Sequence, residues 1–187
     1  MSAHDDFTLR VKECTDRLAA SGVDGLGVLF DLTSQRLVRF AAALTRHQQD
    51  AEDAVQGALT RLAREPQRLN GMARPWAYLL RMVRNEVLAN ARRQKRNRAA
   101  ASLTDLVTVC AVDEAEREES HRAVWAALRT LPPGQAEVVV LKIWEQMTFA
   151  QIGDVLDLSP HTAASRFQYA MTKLSVRLNR HWEALHD

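Results

Sequence analysis

The stretch TFAQIGDVLDLSPHTAASR, residues 148–166, decides how this chain folds. Thr148 is a good helix N-cap, and Gln151 follows three residues later, which makes a capping box. Ile152 and Val155 then face inward along a helix ending near Leu156. Gly153 leaves room for a second helix to cross closely. Asp157 stands where the chain turns sharply, and Asp tolerates the left-handed region better than most residues. Ser159 caps the next helix, and Pro160 takes its first position, where the missing N–H costs nothing. This is a helix-turn-helix pattern. The second helix presents Pro160, His161, Thr162, Ser165, Arg166 and Tyr169, with Phe167, Ala170, Met171 and Leu174 free to pack. In a major groove, Thr162, Ser165 and Arg166 would reach phosphates or base edges. Short helix pairs also occur as plain packing motifs. The cap, the glycine, the turn and a basic second helix together favour DNA.

Upstream, Val124, Ala127, Leu128 and Leu131 mark a helix ended by Pro132-Pro133-Gly134. Gln135–Trp144 is the next, with Val138, Val139, Leu141 and Ile143 expected inside. The second domain thus covers 120–187. Before it, residues 97–119 read as a linker: small residues, then 106–112 with strand propensity but no partner strand, then acids.

The N-terminal half is also helical. Phe7, Val11, Cys14 and Leu18 share one face of a helix over 5–21, so Cys14 reads as a small core residue. The glycine-rich SGVDGLG at 21–27 breaks the chain. A helix over 27–46 follows, with Leu37, Phe40, Ala41 and Leu44 as its stripe. Another spans 49–64, with Ala51, Ala54, Val55, Ala58, Leu59 and Leu62 inward. Its acids Asp50, Glu52 and Asp53, with Gln56, lie at or beyond the edge of that face. Acids in a first turn suit the helix dipole, which is the simpler reading on charge alone; an acidic docking patch is the other. A loop over 64–76 leads to a helix over 75–96, whose core face is Trp76, Leu79, Leu80, Val83, Val87 and Ala91. Arg81, Arg84, Asn85, Leu88 and Arg92 share its opposite face. Three guanidiniums one and two turns apart can follow a phosphate ridge.

Composition sets the class. With 47% hydrophobic residues, the 187-residue chain can bury a real core, and seven Gly, five Pro and no long β-branched run favour an all-α fold. The distant Cys14 and Cys110 form no metal or disulfide framework and fit a reducing cytoplasm. No apolar run approaches a membrane span, and the first residues lack the order of a signal peptide. Net charge is only +2, but its distribution is uneven. From Arg74 to Arg98, eight Lys/Arg face one acid, Glu86; from Ala99 to Glu119, six acids face Arg117. A polyanion contact followed by a segment kept off that polyanion explains the pattern.

Three segments in order, DAEDAVQGALTRLAR (50–64), RPWAYLLRMVRNEVLANARR (74–93) and LPPGQAEVVVLKIWEQMTFAQIGDVLDLSPHTAASR (131–166), resemble the extracytoplasmic-function sigma factors of the sigma-70 family. The resemblance covers about 27–180. It implies an all-α fold of two small helical domains on a flexible linker: a region 2 domain over 27–96 and a region 4 domain over 120–187, with 1–26 as an N-terminal extension. It implies that Asp50, Glu52, Asp53, Gln56 and Leu59 dock on core RNA polymerase, reversing the simpler reading of those acids. The partner surfaces would be the clamp helices and flap of the large subunits. The loop Asn70–Arg74 would hold a base flipped from the minus-ten element. Asn70, Met72, Arg74, Trp76, Arg81, Arg84, Asn85, Arg92 and Arg93 would face the melting strand. Ser159, Pro160, His161, Thr162, Ser165, Arg166 and Tyr169 would read the minus-thirty-five duplex. The linker would thread toward the polymerase active-site and RNA-exit path. The chain departs from common family residues at Asp157, often Gly, at Ala163, often Val, and at Ala164, often Lys. The helix over 5–21 lies outside the common core, as a partner-docking addition or, the favoured reading, an extra packing helix.

No metal-ligand cluster, phosphate-cradling glycine loop or nucleophile elbow is present, so neither an enzyme, a catalytic residue, a metal nor a cofactor is expected. The expected partners are core polymerase, promoter DNA and an anti-sigma factor, with no membrane insertion and a monomer when free. The alternative is a helix-turn-helix repressor or activator that binds duplex DNA without polymerase. An adaptor binding only protein would leave the basic helix unexplained.

Overall fold

A computed structural model describes residues 3–21, 24–45, 47–100 and 119–186. Among these there are eight α-helices, one 3-10 turn and no strand. The chain divides into two compact units, Met1–Val109 and Cys110–Asp187.

The first unit holds α1 (Ala3–Ser21), α2 (Asp24–Ala42), α3 (Gln48–Arg64), the 3-10 turn Pro66–Leu69 and α4 (Pro75–Ala100). α1 buries Phe7, Val11, Cys14 and Leu18, the face its spacing marked. That face packs on α2, the 3-10 turn and α4. The Phe7 ring meets Trp76 edge-on at 4.9 Å, and the Arg36 guanidinium lies 3.8 Å from its centroid. α1 is therefore a structural wall of this unit. α2 starts three residues earlier than the glycine count suggested and runs through Gly25 and Gly27. A Cβ on Gly25 would meet Leu18 Cα at 2.9 Å, so this glycine serves a close α1–α2 crossing inside a helix. α3 buries the six apolar residues expected of it. The loop after it is partly ordered as the 3-10 turn, which inserts Leu69 into the core. α4 continues to Ala100, past the end expected at 96. Ala91, expected inside, is exposed, because α4 from there to residue 96 runs along solvent.

The second unit holds α5 (Glu119–Arg129), α6 (Pro133–Ile143), α7 (Phe149–Leu156) and α8 (Pro160–His186). α5, α6 and α7 all pack on α8. Ala127, Leu128, Leu131, Ala136, Val139, Ala170 and Leu174 form one core cluster. Trp125 and Trp144 stack at 5.8 Å against it. Ile143, expected inside, is 50% exposed, because Trp144 takes the core position at the end of α6. Met171, expected to pack, is 39% exposed; Ala170 next to it carries the core contact. The linker expectation over 101–118, including the extended segment 106–112, lies outside the described residues.

Candidate nucleic-acid and polymerase interfaces

The helix-turn-helix geometry follows from a few residues. Thr148 Oγ1 accepts from the Gln151 N–H at 3.2 Å, and Gln151 Oε1 accepts from the Thr148 N–H at 2.8 Å, completing the capping box. At the other end, Asp157 adopts φ 59, ψ 53, and its N–H returns to the Gly153 carbonyl. The Leu158 N–H donates to the same carbonyl at 3.0 Å. A Cβ on Gly153 would meet the Leu158 carbonyl oxygen at 2.5 Å, so the glycine makes room for the turn's own backbone rather than for α8. Phe149 and Phe167, 5.8 Å apart, tie the start of α7 to α8. The crossing places the first turns of α8 at the surface.

Within that surface Pro160, His161 and Tyr169 are exposed, and Thr162, Ser165 and Arg166 are half-buried. The Ser159 hydroxyl accepts from the Thr162 N–H at 3.0 Å and lies 2.8 Å from Thr162 Oγ1. These two hydroxyls, expected as DNA contacts, thus first serve as a helix cap. Arg166 leans toward α6: its Nη1 is 3.0 Å from where a Cβ on Gly134 would sit. Ala163 is fully buried, which accounts for a small residue there.

In the first unit, Glu52, Asp53 and Gln56 form an exposed polar face on α3. Asp50 stands at its edge, where Oδ1 accepts from Gln94 Nε2 of α4 at 3.0 Å. Glu52 accepts from Gln48 at 2.9 Å. Leu59, expected in the docking surface, is 6% exposed and Trp76, expected at the melting strand, is 2% exposed. Both are corrected to core residues: Leu59 lies on the buried stripe of α3, and Trp76 is held by Phe7.

Asn70 and Arg74 are exposed and Met72 half-buried around Gly71, whose φ of 68 requires glycine-like freedom. On α4, Arg81, Asn85, Arg92 and Arg93 are exposed, and Arg84 is half-buried. Sequence reasoning missed the neighbours of Arg81 and Asn85. Arg61 and Arg64 of α3, Arg68 of the 3-10 turn and Tyr78 of α4 line the same cavity. Arg68 pairs with Glu65, and that carboxylate, then the Tyr78 hydroxyl, raise its pKa further above the ordinary value. Arg61 pairs at 3.0 Å with Glu86, which is 6% exposed. The legible signal was Glu86 itself, the single acid of a strongly basic segment.

Residues 29–97 match sigma-70 region 2, and residues 121–174 match sigma-70 region 4. The chain belongs to the sigma-70 family, as an extracytoplasmic-function sigma factor. It is 29% identical to the RNA polymerase sigma-E factor of Streptomyces coelicolor, over 76% of this chain and 79% of that one. It is 29% identical to the ECF RNA polymerase sigma factor SigL of Mycobacterium tuberculosis, over 86% of this chain and 92% of that one. Its fold is like that of the sigma factor RpoE of Bartonella quintana, solved with the anti-sigma factor NepR (TM-score 0.74, 20% identity, 84% of this chain and 98% of that one). It is also like CnrH, solved with the cytosolic domain of CnrY (TM-score 0.61, 21% identity, 90% and 97% covered). This sigma factor has, among the described residues, no helix long and apolar enough to cross a membrane and no group of three His, Cys, Asp or Glu placed to hold a metal ion. As a sigma factor it acts in transcription initiation.

Proposed function

We propose the following division of labour for this sigma factor. Glu52, Asp53 and Gln56, with Asp50 at the edge, dock on the clamp helices of core polymerase. Asn70, Met72, Arg74, Arg81, Arg84, Asn85, Arg92 and Arg93 hold the melted minus-ten strand. Pro160, His161, Thr162, Ser165, Arg166 and Tyr169, with Ser159 as the cap, read the minus-thirty-five duplex while region 4 meets the flap. Residues 27–96 and 120–187 are the two working domains, joined across 97–119. The protein works in the cytoplasm, without catalysis of its own, and is a monomer when free. An anti-sigma factor is a natural partner, since RpoE of Bartonella quintana was solved with the anti-sigma factor NepR and CnrH with the cytosolic domain of CnrY.

The observation that carries this reading is the pairing of an acidic face on α3 with a basic face on α4 in the unit matching region 2. A free-standing helix-turn-helix regulator has no need of that unit. The test is co-elution of the full chain with core RNA polymerase, followed by run-off transcription from fragmented genomic DNA of the host. Binding with new start sites is expected. Dimeric binding to duplex DNA without polymerase would replace this reading by the repressor one.

A further inference from the structure

The loop assigned above to the minus-ten strand is short and pinned at both ends. Leu69, the last residue of the 3-10 turn, and Trp76, the second of α4, are both buried, and only 70–75 lie between them. Asn70, Gly71, Ala73 and Arg74 are exposed and Met72 is half-buried. The Met72 N–H donates to the Leu69 carbonyl at 3.3 Å, and the Arg74 carbonyl accepts from the Tyr78 N–H at 3.3 Å, so the loop's backbone is tied back to its two anchors. The elements that carry both anchors pack on α1. The Phe7 ring of α1 meets Trp76 edge-on at 4.9 Å, and the Arg36 guanidinium of α2 lies 3.8 Å from the Phe7 centroid. α1 precedes the residues 29–97 that match region 2. The loop inside the matched domain thus takes its footing from a helix outside the matched stretch.

We infer that α1, through Phe7, is a positioning element for the minus-ten loop: it fixes Trp76 relative to Leu69 and so presets the loop for an unstacked base. The inference rests on the proposed role of that loop and adds Phe7 to it as a positioning residue, which acts through Trp76 rather than on DNA. A short loop with fixed ends has few conformations to lose, and loosening one end returns that freedom. The entropy lost on ordering is subtracted from binding, so a loop ordered beforehand binds more tightly through the same contacts. Gly71, at φ 68, gives the loop no stiffness of its own, so its order comes from its ends. The edge-on ring pair supplies a preferred geometry there, which an aliphatic side chain of similar bulk does not.

The experiment uses holoenzyme made from the full chain and core polymerase. Fluorescent forked DNAs, one intact and a series each with a single abasic position in the single-stranded minus-ten region, are titrated by anisotropy. Wild type is expected to lose most affinity at one abasic position, that of the base held by the loop. Phe7→Leu is expected to bind the intact fork about fivefold more weakly, the scale of ordering one more side chain at an interface. Its ratio of intact to abasic affinity at that position falls toward one, and its affinity for labelled core polymerase stays unchanged. Leu18→Val is the control. It loosens α1 against α2 at the Gly25 crossing, about 16 Å along the helix from Phe7, and is expected to keep the wild-type affinity and ratio. A merely structural α1 would move both variants alike. Trp76→Phe opens the same ring contact from α4 and should reproduce the Phe7→Leu pattern, which keeps the test decisive if one variant folds poorly. Wild-type affinity and ratio in Phe7→Leu and Trp76→Phe overturn the inference; so does an equal loss in Leu18→Val, or weakened core binding in Phe7→Leu. A wild-type holoenzyme indifferent to every abasic position refutes instead the base-holding role of the loop, and the inference falls with it.

Discussion

Replacing Gly153 by alanine sets two effects of known sign against each other. Gly153 lies within α7, where alanine is intrinsically favoured by about 0.8–1.0 kcal/mol. Against this, the new Cβ would stand 2.5 Å from the Leu158 carbonyl oxygen, whereas real Cβ atoms essentially never come under 3.0 Å. The overlap of 0.5 Å (3.0 − 2.5) is with backbone, which has no rotamer to escape into. That backbone is also bonded to Gly153, whose carbonyl accepts from the Asp157 and Leu158 N–H groups. Overpacking of this kind costs about 1–3 kcal/mol, and a rigid neighbour places it toward the upper end. The net loss is about 1–2 kcal/mol, or about 5–30-fold in the local folding equilibrium.

Hydrogen exchange read by mass spectrometry on the full chain localises the effect. Protection in α6, α7 and the first half of α8 should fall by that factor, with α3 and α4 unchanged. Binding to a minus-thirty-five duplex should fall with it, because the turn positions Ser159 and Pro160. Equal or greater protection in the variant would mean that the turn yields at little cost, and the reading of Gly153 as a steric requirement would be wrong.

Other perturbations test other joints. Asp157→Gly removes a side chain from a left-handed residue and should stabilise the same segment by up to about 1 kcal/mol, after the backbone entropy of glycine is counted; a lower midpoint in urea would show that the aspartate side chain supports the turn. Phe7→Ala strips the ring that meets Trp76 and Arg36 and should cost the first unit about 3–5 kcal/mol; a loss under about 1 kcal/mol would make α1 a loosely applied extension. Arg61→Ala leaves the Glu86 carboxylate buried without its ion partner and should cost about 1–3 kcal/mol, while Arg61→Ala with Glu86→Leu should recover much of it in the same chemical denaturation. Asp53→Arg, at an exposed position of α3, should lower core-polymerase affinity by at least about tenfold through charge reversal, read by competition against the wild-type chain; unchanged affinity would remove Asp53 from the docking face.

The helix faces were legible because burial follows a 3.6-residue period. Phe7, Val11, Cys14 and Leu18 on α1, and the six apolar residues of α3, lie where that period puts them. The capping box and the left-handed Asp157 were legible because their chemistry is local. What failed was set by tertiary context. Gly25 reads as a breaker until Leu18 is seen against it. Ile143 reads as core until Trp144 is seen taking the core position. At the sites, the expected polar positions on α3 and α4 are exposed, except for the half-buried Asp50 and Arg84, but Leu59 and Trp76 are buried, since a buried stripe and a functional face can share neighbouring positions on one helix. The arginine cavity was hidden for a different reason. Arg61, Arg64 and Arg68 lie far in sequence from Arg81, and only the packing of α3 on α4 brings them together.

The charge inventory of α8 explains why such a protein works through polymerase. From Ser159 to Tyr169 the only full charge is Arg166, and it leans toward Gly134. Since each neutralised phosphate of duplex DNA contributes a salt slope of about 0.9, one cation and a helix N-terminus supply little of the non-specific attraction that holds independent regulators on DNA. The cations are concentrated instead in the first unit, along α4 and around the cavity, on the face proposed here for a strand that is single only after melting. Neither unit is furnished to hold a promoter alone. Joined on one chain and fixed on polymerase, the second contact becomes intramolecular, and two weak sites combine into one strong one without any new bond. In the proposed division of labour the acidic face of α3 has its place in that scheme: it would commit the chain to the polymerase, while the C-terminal turns of the same helix carry Arg61 and Arg64.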